Sequence, residues 1–189
     1  MSALAALREA TWPCHQRLEK RIDFKSRMAS REAYRAHLEK MWGFYAALEP
    51  QLAAGLGGDA LTDFEARRKL PLLERDLHAL GADPALLPRC AGVPDCADAA
   101  SALGAAYVLE GATLGGRTLM PVVESRLGLT PERGAAFLAS YGAAVDTMWR
   151  TFGAVVERCC PEGPERQRAT ASAAATFAAL EGWLCGAGA

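Results

Sequence analysis

Two groups of residues in this chain have the types and spacing to do chemistry. The first is His15 with Glu19, one helical turn apart. A histidine that binds a metal ion normally gives its other ring hydrogen to a carboxylate or carbonyl, and an acid four residues on is within reach. The same spacing also describes a solvent-facing His–Glu pair, so spacing alone leaves both readings open. His37 and His78, the other two histidines, sit among charges in YRAHLEK and ERDLHAL and are expected at the surface or half-buried. The second group is the row of glycines Gly104, Gly111, Gly115 and Gly116 in the apolar stretch 99–120. Each glycine inside a helix costs roughly 1 kcal/mol relative to alanine. Gly104, Gly111 and Gly115 are seven and four apart and share a helical face on which the backbone is bare. Such a face serves either a close helix crossing or a flat ligand lying on a helix that bends at Gly115-Gly116.

Other chemistries find little support. Six cysteines occur without paired C-x-x-C spacing, which argues against zinc and reads as reduced thiols in a cytoplasm. No Glu-x-x-His pairs suggest a di-iron bundle, no G-x-S-x-G elbow a hydrolase, and Gly-Gly-Arg-Thr lacks the lysine of a phosphate loop. The run Arg67-Arg68-Lys69 reads as a solvated helix face. Over 189 residues, 51% are hydrophobic, 23% charged and the net charge is −1, so neither nucleic acid nor an anionic membrane is favoured as a partner. No apolar run reaches spanning length, and the early Arg8 and Glu9 argue against a signal peptide.

These residues need helices to hold them. The spacing predicts a short helix over Leu4–Ala10 and a restart near Thr11-Trp12-Pro13, running to about Ile22 with His15, Leu18, Glu19 and Ile22 on one core-facing stripe. Ser30 caps the next helix, which Pro50 bends or ends and Gly55-Leu-Gly-Gly58 stops. Short helices follow from Thr62 or Asp63 and over Pro71–Leu80; residues 82–95 read as a loop with one helical turn. The glycine helix is expected to stop before Pro121. Thr130-Pro131-Glu132 looks like a helix start, Gly142 a break, and Pro164-Glu165 the start of the last helix. Nothing alternates with period two. The expectation is all-α, one domain over residues 1–189, with about eight helices.

LREATWPCHQRLEK, residues 7 to 20, resembles the proximal-helix signature of heme oxygenases. YVLEGATLGG, residues 107 to 116, is similar to that family's glycine-rich distal helix, in the form found in bacterial members that make biliverdin, including those serving bacteriophytochromes. YGAAVDTMWRTF and ATFAALEGWL look like its later helices, so the resemblance covers most of the chain. It implies a bundle with heme between a proximal and a kinked distal helix. It makes His15 the axial ligand to heme iron and Glu19 the acid by its free ring nitrogen. Gly111, Gly115 and Gly116 become the distal backbone over the porphyrin, Arg8 and Arg150 the partners of the propionates, and Phe177 a pocket wall. Ala112 stands where mammalian members carry an aspartate, and Trp12 where they carry a lysine. The implied activity is oxidative cleavage of heme to biliverdin, carbon monoxide and ferrous iron, with heme as both prosthetic group and substrate. Oxygen is consumed, and electrons come from a ferredoxin or reductase because the sequence has no flavin or nicotinamide motif. A phytochrome that accepts the bilin is an implied partner. A non-enzymatic heme carrier on the same fold is the alternative.

Overall fold

A computed structural model describes residues 1–57 and 60–186. The described chain is helical, with isolated bridges at Thr130 in place of any strand. Its helices are α1 (Ala3–Arg21), α2 (Phe24–Arg27), α3 (Arg31–Gly55), α4 (Phe64–Arg67), α5 (Leu70–Ala79), α6 (Ala99–Leu127), α7 (Ala136–Ala139), α8 (Val145–Cys159) and α9 (Pro164–Cys185). Three of them, α2, α4 and α7, are single turns. The loop over 82–95 does contain one 3₁₀ turn, at Pro84–Leu86. Gly58, expected to help end α3, lies outside the described residues.

Packing decides several boundaries against local propensity. Pro13, Pro50 and Pro121 all lie inside helices rather than ending them. Each proline is exposed, so its ring projects to solvent, and buried residues further along hold the helix in place: Leu18, Leu52, and Val123 with Leu127. That burial offsets the roughly 3 kcal/mol an interior proline costs. Thr11 is therefore not a cap. It sits inside an unbroken α1, its hydroxyl donating to the Leu7 carbonyl at 2.7 Å. The start of α1 is Ser2, whose hydroxyl accepts from the Ala5 amide, and Glu157 of α8 accepts from Ala3 and Leu4 at 2.7 and 3.0 Å.

Thr130-Pro131-Glu132 does not start a helix. The Thr130 carbonyl accepts from the amides of Arg133 and Ala135, closing a turn that Gly134 completes at φ +86°. The buried Asp76 of α5 selects the true start, accepting from the amides of Ala136 and Phe137 at 2.9 and 2.7 Å. His37 is also not half-exposed. It is buried on α3, edge-on to Phe24, with Arg27 at 3.3 Å from Nδ1.

One contiguous apolar core joins α1, α3, α5, α6, α8 and α9. Within it α9 packs along both α6 and α1, while α1 and α6 barely touch each other. α1 and α6 thus stand as two walls on α9, with few contacts across the gap between them.

Candidate active site

His15 stands on the α1 wall. Trp12, one turn earlier, stacks on its ring at 5.8 Å between centroids and 7° between planes; Phe177 of α9 meets it edge-on, also at 5.8 Å. The imidazole thus contacts aromatic rings on two different helices, which restricts its plane. Its side chain is 44% exposed, so the core-facing stripe expected from the sequence is a half-open one. Nδ1 is nevertheless buried and has no hydrogen-bond partner; the nearest carboxylate oxygen, on Glu19, is 3.6 Å away. The exposed part of the ring is therefore the Nε2 side. A ring contacted by two aromatic groups, with Nδ1 turned toward a carboxylate and the Nε2 side accessible, is the arrangement an imidazole ligand takes.

The α6 wall resolves the glycine row. Gly104 is a helix crossing: a methyl group there would overlap the Ala169 carbonyl of α9. Gly116 is a second crossing, since a methyl group would lie 2.5 Å from the Leu138 carbonyl of α7. Gly116 thus serves the α6–α7 contact, not an open face, and its side points away from that of Gly115. At Gly111 and Gly115 a methyl group would meet no atom within 4 Å. Ala112 beside them is exposed. These two glycines give a strip of bare backbone facing open space, on a helix that runs unbroken through Gly115-Gly116.

The two walls approach each other where Tyr107, one turn before Gly111, lies beside Thr11, one turn before His15. Burial pushes the Tyr107 hydroxyl up from its ordinary range, an effect opposed by the Thr11 hydroxyl and the Arg8 charge. The guanidinium of Arg8, on an exposed stretch of α1, lies 6.0 Å from the Trp12 ring. Trp149 of α8 packs on Tyr107 at 5.7 Å, and its neighbour Arg150 is exposed, with a 3.4 Å contact to Thr147. Arg8 therefore lies at this aromatic junction, and Arg150 follows Trp149 on the exposed side of α8. The floor is tied to the proximal wall by Glu181, buried one turn beyond Phe177 on α9, which accepts from Arg17 and Arg21 of α1 at 2.7 Å each. These arginines hold its carboxyl below the usual range.

Sequence reasoning missed Tyr107, Trp149 and Glu181 as parts of this site. Helical spacing alone could have found Tyr107, four residues before Gly111, and Glu181, four after Phe177. It also misread Arg67-Arg68-Lys69: Arg67 and Lys69 are buried, on the far side of α6.

Such a gap suits a flat, largely apolar molecule with a metal at its centre and acidic groups at one edge. It has an imidazole edge on one wall, bare backbone on the other, an aromatic on the floor and the Arg8 guanidinium beside the Trp12 ring. Heme fits this description on the donor set alone. Comparison with known proteins agrees. The family model described as heme oxygenase matches residues 1–184. A heme oxygenase of Xanthomonas campestris pv. campestris (strain 8004) is 32% identical over 151 residues, which is 78% of this chain and 83% of that protein. The crystal structures of NO- and CO-bound heme oxygenase from Neisseria meningitidis share the fold at a TM-score of 0.79 and 22% identity, covering 97% of this chain and 90% of that one. Heme oxygenase from Leptospira interrogans does so at 0.81 and 20%, covering 98% and 99%. The match along nearly the whole chain, and the cleft it accounts for, place this protein in the heme oxygenase family.

Proposed function

We propose that this heme oxygenase holds its substrate in the α1–α6 gap with His15 Nε2 as the axial ligand. The observation that carries this reading is the His15 ring: contacted by Trp12 and Phe177, buried at Nδ1 and open on its other edge. Glu19 lies on the Nδ1 side and orients the imidazole, directly or through a water. Gly111 and Gly115 leave the opposite face of the ring free for oxygen and bring backbone, not side chains, to its edge. Phe177 supports the floor. Arg8 and Arg150 hold the two propionates at the rim, where a guanidinium matches carboxylate geometry and is always charged. Heme supplies the iron that takes up oxygen and the ring that is cleaved to biliverdin, carbon monoxide and ferrous iron. What this chain adds is an oriented imidazole, an aromatic floor and an open distal face.

Electrons come from outside, from a ferredoxin or a reductase. A bilin-accepting phytochrome is the proposed consumer of the product, and the cytoplasm the proposed location. No helix among the described residues is long and apolar enough to cross a membrane. Family membership favours turnover over the heme-carrier alternative. The test is hemin binding and biliverdin formation, followed by absorption, in wild type and His15→Ala. The variant is expected to fold and to lose biliverdin formation, with added imidazole restoring part of it. Unchanged spectrum and turnover in His15→Ala would move the ligand to His37 or His78 and sink this assignment.

A further inference from the structure

Behind the open strip of α6 lies a polar cluster that the cleft does not use. Glu110, the residue immediately before Gly111, is buried. One carboxylate oxygen accepts from the Tyr141 hydroxyl at 2.6 Å and the other from Arg67 at 2.8 Å. Arg67 is buried too, and all five of its N–H groups are engaged. Two go to Asp63 at 2.8 Å each, one to Glu110, one to the Met148 carbonyl at 3.1 Å and one to the Thr151 hydroxyl at 2.9 Å. The buried Lys69 completes the cluster, donating to the Arg67 carbonyl at 2.6 Å with its ammonium 3.5 Å from the centre of the Tyr141 ring.

Burying such a pair is a poor way to gain stability. Desolvating two charges offsets most of their attraction, and apolar residues of the same volume are often as good. A saturated guanidinium does fix geometry, however. Arg67 ties Glu110 of α6 to Asp63, just before α4, and to Met148 and Thr151 of α8. The residues between those last two anchors are Trp149, which packs on Tyr107, and Arg150. A single side chain therefore sets the distal backbone and the rim of the gap in one frame.

We propose that Glu110 and Arg67 are positioning residues for heme cleavage: their pairing fixes the rotation of the Gly111–Gly115 strip and its distance from α8. Neither touches the substrate. Their loss leaves the His15 bond intact and loosens the surface under which oxygen must bind and turn toward the ring edge. This rests on the cleft being the heme site.

The test uses the full chain in three forms: wild type, Glu110→Gln, and the double variant Arg67→Met with Glu110→Leu. The double variant removes both charges together and keeps the volume, so it folds even if a lone change leaves Arg67 uncompensated. Hydrogen exchange of the apoprotein in peptides spanning residues 107–118 is measured alongside global unfolding in urea. Exchange there is expected to accelerate about ten-fold beyond what the global change accounts for. With hemin bound, affinity is expected within about three-fold of wild type, while the single-turnover rate of biliverdin formation falls about ten-fold and the isomer ratio broadens. Folded variants whose exchange in 107–118 follows global stability alone, or whose turnover and isomer ratio match an active wild type, overturn the positioning role. A wild type that binds hemin and makes no biliverdin overturns the functional reading itself, and this proposal with it.

Discussion

Helix α6 contains glycines of two kinds. Gly104 and Gly116 are closed: each lies against a backbone carbonyl of another helix, Ala169 in α9 and Leu138 in α7. Gly111 and Gly115 are open: a side chain at either would point into space. All four weaken the helix by the same local amount. At the closed pair the helix crossing recovers that loss, because only glycine lets two backbones approach so nearly. At the open pair no contact among the described residues recovers it; on the proposed reading the bound heme does. The comparison separates glycines that close helix crossings from glycines that leave the backbone bare.

The largest expected effect is at the closed end. Gly104→Leu places a side chain on the Ala169 carbonyl, and overpacking against rigid backbone is expected to destabilise the apoprotein by at least ~3 kcal/mol, visible as a large drop in melting temperature. Normal melting would mean that α6 and α9 are not in close contact there. Next is Gly115→Leu, which should leave apoprotein melting near wild type and hemin bound, while biliverdin formation falls by about 100-fold because the isobutyl group fills the distal space. Low melting with normal turnover would reverse the assignment of the two kinds.

Acid gives a third contrast, read as a slope per pH unit and confined to the packed part of the molecule. Burial, and secondarily the Arg27 charge, push His37 down from 6.5 to about 3. Between those values the unfolded chain takes up a proton that the folded chain refuses. Stability present above pH 6.5 is therefore lost as pH falls toward 3, at no more than about 1.4 kcal/mol per pH unit. Urea unfolding of His37→Gln across this window should show a flatter pH dependence than wild type; an identical slope removes His37 as the cause. The smallest effect has the opposite sign. Gly111→Ala adds a methyl group into free space and removes unfolded-state freedom, so apoprotein melting should rise, by an amount equivalent to roughly 0.5–1 kcal/mol. A fall would show that Gly111 is closed like Gly104.

Much of the cleft was legible in the sequence because helical spacing carries it. His15 with Glu19 and the row Gly111–Gly115 are local patterns on single helices, and the structure sets both beside one gap. The same spacing placed Gly104 on the face of Gly111 and Gly115, and there it failed. What a glycine meets depends on where α9 crosses, which no residue of α6 encodes. The Arg67-Arg68-Lys69 run failed for a related reason. It lies where α4 gives way to α5, and the turn between them directs Arg67 and Lys69 inward while leaving Arg68 partly exposed, paired with Glu49 at 3.1 Å. A charge run in one dimension looks solvated until a distant carboxylate, Glu110, is brought to it. Pro121 and Thr130 misled because strong local signals there are overruled by Val123 and Leu127 in one case and by Asp76 in the other.

The two walls of the gap pack chiefly on α9 and to a lesser degree on α8, so α9 carries marks for both. Ala169 marks where the distal wall crosses it and Phe177 where His15 rests. Eight residues separate these marks, about 12 Å along a helix rising 1.5 Å per residue. The placing of Phe177 beneath His15 is thereby set, relative to the α6 contact, by the stretch of α9 between them. Substitutions in α1 or α6 change what lines the slot, whereas an insertion or deletion between Ala169 and Phe177 would move the support itself. One residue more would advance Phe177 by about 1.5 Å and swing it by about 100° off the floor. Within this architecture the position of the support along α9 and its orientation are therefore coupled.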